Sequence, residues 1–200
     1  LERDNNGIPD RARVRGRLMP LQKIHVLTRR QELDGARLAG KVAVVLDVLF
    51  ATTTIVTALA HGARGVMPVT DGRAAVDAAK RFAEPERVLA GEHLSKTLEG
   101  FATPLPQGLV AHGVKDRTVI YSTTNGTVAL DGARGADHVY AAALVNGEAA
   151  IEHVIRRHPE KTVLVVCSGS LANVNVEDMV GAGYLVDRFA ARLGDAADLS

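Results

Sequence analysis

Four short stretches of this 200-residue chain gather acids, hydroxyls, amides and glycines that apolar packing does not require. The first is Asp47 with Thr52, Thr53 and Thr54. The second is Glu92 with His93. The third is Thr123, Thr124, Asn125, Gly126 and Thr127. The fourth is Cys167, Ser168 and Gly169, with Glu177 and Asp178 shortly after. Hydroxyls and free backbone N–H groups at helix starts hold phosphate oxygens without cationic side chains. Gly126 and Gly169 let the backbone come close to a ligand. Separated carboxylates give Mg²⁺ the hard oxygen ligands it takes, and Asp47, Glu92 and Asp178 are the expected set, with Glu177 as an alternative to Asp178. Such a metal neutralises a phosphate and polarises it for attack. The chemistry indicated is phosphoryl transfer to water, with Asp47, Glu92 and Cys167 as catalytic candidates and the remaining residues around the phosphate.

Each group also has a plainer reading. Ser, Thr, Asn and Asp ahead of a helix are common N-caps, and Glu177 and Asp178 suit a helix N-terminus. Cys167 reads equally as a small buried hydrophobe. Asp47 is different, because an acid closing a buried apolar strand must be paired, metal-bound or costly. No Walker loop, dinucleotide fingerprint, nucleophile elbow or metal-type His/Cys spacing occurs.

The elements that must position these residues alternate. Strands are expected over Lys23–Thr28, Val42–Leu49, Gly65–Val69, Val88–Gly91, Thr118–Ser122, His138–Ala142 and Thr162–Cys167. Helices are expected over Gln31–Leu38, Thr53–His61, Gly72–Ala83, Gly126–Ala133, Asn146–His158 and Val176–Leu193. Leu94–Gln107, with Gly100, Pro104 and Pro106, reads as a loop. Alternation of this kind predicts an α/β three-layer sandwich with a mostly parallel or mixed sheet. In such sheets ligands sit beyond the carboxyl ends of the strands, which is where the four stretches fall.

Composition agrees. The chain is 46% hydrophobic and 24% charged, with no Trp, and its net charge is +1. The Ala/Val/Leu/Gly-rich core suits a parallel sheet under close-packed helices. There is no basic face or set of stacking aromatics for nucleic acid, and no apolar run of the roughly 20 residues that a membrane helix needs. A single cysteine, Cys167, excludes an internal disulfide and fits a reducing, cytoplasmic setting. Residues 1–18 are Arg-rich and broken by Gly7, Pro9 and Gly16. They read as a flexible N-terminal arm, or a remnant ahead of a natural start at Met19, before a single domain over residues 19–200. An Ala/Val/Gly-rich helical surface would suit a homodimer.

The runs DVLFATTTIVTALAHGA, AGEH, STTNGTVAL, VVCSGS and VEDMVGAG, in this order and spacing, resemble the 2-phosphosulfolactate phosphatase family from about Met19 to Leu193. The resemblance implies an α/β, Mg²⁺-dependent phosphatase that hydrolyses 2-phospho-3-sulfolactate to 3-sulfolactate and phosphate, a step towards coenzyme M. It implies that Asp47 serves the metal or the attack, that Glu92 matches the acid of a GER element, and that Cys167 and Gly169 match a CAG-like turn. Glu177 and Asp178 match an ED pair. Two family arginines are replaced, by Phe50 and His93, and the loop after Glu92 carries Ala102–Pro106 in place of a GNSP-like segment. Arginine is the natural bidentate partner of anionic groups, so a related phosphatase acting on another phosphomonoester is an alternative. The family continues past the long helix, so a domain ending at Ser200 is expected to be C-terminally incomplete. Two further readings are a binding module for an anionic metabolite, and a hydrolase using Cys167 with Asp47, in outline like the isochorismatase-like enzymes.

Overall fold

A computed structural model of the chain describes residues 13–14, 17–18 and 21–199. The arm expected over residues 1–18 and the start expected at Met19 lie outside the described residues, apart from β1 (Arg13–Val14) and β2 (Arg17–Leu18), which pair antiparallel.

The α/β expectation holds, with two sheets rather than one. The large sheet contains β3 (Gln22–Leu27), β4 (Val42–Leu46), β9 (His138–Ala142), β10 (Val163–Cys167) and β11 (Ala197–Asp198), in the order β11-β3-β10-β4-β9. All of its pairings are parallel. The small sheet runs β5-β8-β6-β7, from β5 (Gly65–Val69), β6 (Arg87–His93), β7 (Lys96–Thr97) and β8 (Thr118–Ser122), with only β7 antiparallel. Pro68 cannot donate to a ladder, and it lies in β5, which pairs on one side only.

The layers follow from which faces are apolar. Both faces of β4 and β10 are buried. One face of the large sheet, with Val44, Leu46 and Val165, packs under α5 (Gly147–Arg157) and α6 (Val176–Leu193) through Ile151, Leu185 and Phe189. The other face, with Val45 and Val166, meets α1 (Ala51–Ala60), α3 (Pro106–His112) and α4 (Gly126–Gly132). Those central helices also cover Val88, Val119 and Tyr121 of the small sheet. The outer face of that sheet takes α2 (Gly72–Ala79) through Ala75 and Ala79.

Two local expectations are corrected. The helix expected over Gln31–Leu38 is two single 3-10 turns, Arg30–Glu32 and Gly35–Arg37. Between them Asp34 accepts a bond from the Ala36 N–H at 3.0 Å, an alternative to continuing the helix. The loop expected over Leu94–Gln107 contains β7 and the first two residues of α3. Pro106 opens α3, the position where proline's missing N–H costs nothing.

Candidate active site

The carboxyl ends of both sheets converge on one cavity of about 300 Å³. The large sheet brings Asp47 from the exit of β4. The small sheet brings Glu92 from β6, and Thr123, Thr124 and Asn125 from the exit of β8. Glu177, from the first turn of α6, and Phe50 complete the wall.

Asp47 is 6% exposed. Its backbone is locked by Thr52, whose hydroxyl donates to the Asp47 carbonyl at 2.8 Å and accepts from the Asp47 N–H at 2.9 Å. Burial pushes its carboxyl up to about 6, and the negative charge of Asp178 adds to that, while the Ala51 N–H and Ser168 hydroxyl pull it back. Gly126 explains how α4 begins against this acid. A Cβ there would lie 2.4 Å from Asp47 Oδ2 and 2.4 Å from the Ala51 Cβ.

Glu92 and Asp178, expected beside Asp47 as metal ligands, are both engaged as braces. Glu92 Oε1 accepts from the Thr124 N–H at 2.6 Å. Its Oε2 accepts from the Ser95 N–H at 2.7 Å and the Thr124 hydroxyl at 3.0 Å. It therefore pins the β8 exit to the β6–β7 hairpin while still facing the cavity. Asp178 is fully buried and does not line the cavity. Its Oδ1 accepts from the Val48 N–H at 3.0 Å, and its Oδ2 from the Gly169 N–H at 3.1 Å and the Ser168 hydroxyl at 3.2 Å. Burial pushes its carboxyl up against these donors. Among the described residues no group of three His, Cys, Asp or Glu side chains is placed to hold a metal ion, so the trio Asp47, Glu92 and Asp178 is not assembled. The carboxylates that do line the cavity are Asp47, Glu92 and Glu177.

The threonines also divide. Thr52 serves Asp47, Thr53 donates to the Val48 carbonyl at 2.7 Å, and Thr54 donates to the Pro104 carbonyl at 2.8 Å. None of the three lines the cavity, which corrects their expected place around a phosphate. Their hydroxyls are spent on backbone carbonyls at the start of α1. Thr127 likewise donates back to the Thr123 carbonyl, at 3.0 Å. Ser168 is buried on Asp178, and Gly169 sits at φ +66° where a Cβ would strike the Asn173 carbonyl at 2.6 Å. These two shape the β10 exit rather than line the cavity.

Cys167 is corrected as a catalytic candidate. It is fully buried among Val163, Val165 and Phe189, on the face of the large sheet covered by α5 and α6. Burial pushes its thiol up to about 12, far from the thiolate a nucleophile needs. His93 is exposed and lines a second cavity of about 680 Å³, which also takes in Arg73 and Phe101 and shares Glu92, Thr123 and Thr124 with the first.

One residue that the sequence reading passed over stands behind the wall. Arg30 Nη1 donates to Asn125 Oδ1 at 3.0 Å and to the Ser168 carbonyl at 3.0 Å. Burial lowers its pKa and the charge of Asp47 opposes that. The signal was present: Arg29 and Arg30 follow directly on a predicted strand, as the other site residues do.

A family model described as 2-phosphosulpholactate phosphatase matches residues 27–199. A probable 2-phosphosulfolactate phosphatase of Symbiobacterium thermophilum is 40% identical over 154 residues, 76% of this chain and 65% of that protein. One of Clostridium beijerinckii is 31% identical over 167 residues, 83% of this chain and 69% of that protein. A third, of Parasynechococcus marenigrum, is 41% identical over 147 residues, 73% of this chain and 60% of that protein. The chain thus spans about two thirds of the length of the curated relatives it matches.

Proposed function

The chain belongs to the 2-phosphosulfolactate phosphatase family, and from that premise we propose that it hydrolyses a small phosphomonoester, 2-phospho-3-sulfolactate in the first instance, to its alcohol and inorganic phosphate. In that role it would serve a step towards coenzyme M. The observation that carries the reading is Asp47: a buried carboxylate at a strand exit, facing a cavity, held above its ordinary range by burial and neighbouring negative charge. A group in that state is suited to meeting a phosphoryl group and a cation together.

The donor set suits a hard divalent cation. Mg²⁺ keeps several waters and takes one or two carboxylates together with substrate phosphate, so it does not need three protein ligands. Asp47 and Glu92 would hold it. When bound, the ion supplies charge neutralisation at the phosphoryl oxygens. The chain's own residues do the rest. Asn125 presents its amide to the cavity and orients a phosphoryl oxygen. Glu92 holds the Thr123–Thr124 turn in place for it. Buried Asp47 meets the phosphorus side of the ester, and Phe50 excludes water from that wall.

The test is phosphate release from 2-phosphosulfolactate and from a panel of phosphomonoesters, with Mg²⁺ and with EDTA, for wild type and Asp47→Asn. Metal-dependent release from phosphosulfolactate, abolished by the substitution, is the expected outcome. Release only from other esters moves the substrate. Release from none, by a folded protein, refutes the phosphatase reading.

A further inference from the structure

We propose that Arg30 is a positioning residue for the phosphoryl site, acting through Asn125. The proposal rests on the phosphatase reading and extends it to a residue outside the cavity.

Asn125 Oδ1 receives two donors, Arg30 Nη1 at 3.0 Å and the Leu171 N–H at 2.9 Å. Both acceptor positions of that oxygen are therefore filled, one from behind the wall by Arg30 and one by the Leu171 backbone. Asn125 lines the cavity, and with its oxygen held by Arg30 and the Leu171 N–H the amide nitrogen is the group left to donate there. An amide oriented this way offers N–H donors to a substrate oxygen, with no reorganisation at the moment of reaction. Without Arg30 the amide would keep one of its two anchors and could turn, presenting its oxygen to an anionic group.

Arg30 also ties together three strand exits. It follows β3, bonds the Ser168 carbonyl at the exit of β10, and crosses to Asn125 at the exit of β8 in the other sheet. Its neighbours make a plain clasp by comparison. Arg29 Nη1 donates to the Ala172 carbonyl at 3.2 Å, and Gln31 bonds the Leu171 carbonyl. The Arg29 bond reaches the same loop at Ala172, which does not line the cavity, and this makes Arg29 the control for a role limited to holding the loop.

The experiment is a double-mutant cycle over Arg30→Ala and Asn125→Ala, reading kcat, KM and, by calorimetry, the affinity for inorganic phosphate. Loss of a charged hydrogen bond is expected to lower kcat/KM about tenfold to hundredfold in Arg30→Ala. The double variant is expected to lose little beyond Asn125→Ala, because Arg30 acts through that amide. Arg30→Lys, which can place one ammonium near both acceptors, restores most of the loss. Arg29→Ala leaves the kinetic constants within about twofold. Asn125→Asp keeps a partner for Arg30 and removes the donor; it should lose as much as Asn125→Ala at an unchanged melting temperature, which keeps the test intact if Arg30→Ala does not fold. Losses that multiply in the double variant, or an Arg30→Ala enzyme equal to wild type, overturn the proposal. If wild type releases no phosphate from any ester, the phosphatase reading has failed, and the phosphate affinities still decide the coupling between Arg30 and Asn125.

Discussion

Asp47→Asn is expected to abolish turnover and, in the absence of divalent cations, to stabilise the fold. In the folded chain the Asp47 carboxyl is pushed from its ordinary 3.8 up to about 6. Each pKa unit is worth about 1.4 kcal/mol, so the ionised carboxylate costs the fold about 3 kcal/mol. Between the unfolded and folded values the native state binds more protons than the unfolded one, so stability falls as pH rises from about 4 to about 6 and stays at its lower level above that. Asparagine carries no charge at any pH and keeps one oxygen for the Ala51 N–H and Ser168 hydroxyl. In a domain of this size a gain of about 3 kcal/mol raises the melting temperature by roughly 6–12 °C. The assay is thermal unfolding of both proteins in EDTA at pH 8 and again near pH 4. The gain should appear at pH 8 and shrink to about 0.5 kcal/mol near pH 4, where the folded Asp47 carboxyl is protonated and the unfolded one is about half ionised. Distant carboxylates titrate in the same range and cancel in the difference between the two proteins, whereas Asp178 and Glu92 repel Asp47 and their relief in Asp47→Asn contributes to the gain. With Mg²⁺ restored, the wild type should recover stability by mass action and Asp47→Asn should not. An Asp47→Asn protein no more stable than wild type at pH 8, or a gain that persists unchanged at pH 4, would refute the claim that Asp47 is buried at a cost.

Three further outcomes follow from the same geometry. Asp178→Ala removes the acceptor shared by Val48, Ser168 and Gly169 and should destabilise by about 2–4 kcal/mol in urea unfolding, because buried donors are left unpaired. Gly126→Ala drives a methyl group into Asp47 and Ala51; kcat should fall about a hundredfold, against a stability loss of about 1–3 kcal/mol from overpacking, measured by steady-state kinetics beside calorimetry. Cys167→Ala should keep kcat and KM within about twofold while losing about 1–2 kcal/mol of stability, and iodoacetamide should leave the native wild type active; rapid inactivation would return the thiol to the mechanism.

Much of the fold was legible because burial and periodicity agree. β5, β8, β9 and α6 match their expected bounds residue for residue. Polar or glycine residues mark most of their ends: Arg64 and Thr70 flank β5, Arg117 and Thr123 flank β8, Asp137 precedes β9, and Asn175 and Gly194 flank α6. The division into two sheets was not legible. Strand order depends on which faces the central helices cover, and a chain that alternates strand and helix reads the same for one sheet or two. Among the site residues, Asp47 stood out because an acid ending a wholly apolar strand has few reasons to be there. The threonines of α1 misled, because a hydroxyl at a helix start looks the same in sequence whether it faces a ligand or a backbone carbonyl. Thr52, Thr53 and Thr54 all took the carbonyl. The braces were equally hidden: Glu92 and Asp178 were found as acids, but only the fold reveals that backbone N–H groups already occupy them.

That division of labour among the acids bears on how the site is held. Asp47 and Asp178 belong to the large-sheet side, Glu92 and Asn125 to the small-sheet side, and the cavity exists only where the two meet. Apolar packing through α1, α3 and α4 brings the sheets together but does not set the strand exits to a fraction of an ångström. Directional bonds do that. Asp178 fixes the β4 and β10 exits to each other, and Glu92 fixes the β6 and β8 exits to each other. Asn125, with Arg30 and Leu171, joins one pair to the other. Phosphoryl chemistry depends on such positioning more than on any reactive side chain. A chain that spends two of its buried acids on bracing can leave a third, Asp47, with few partners and in electrostatic want. The surplus negative charge is tolerated because the surrounding fold is fastened independently of it, and it is available to whatever cation and phosphoryl group enter the cavity.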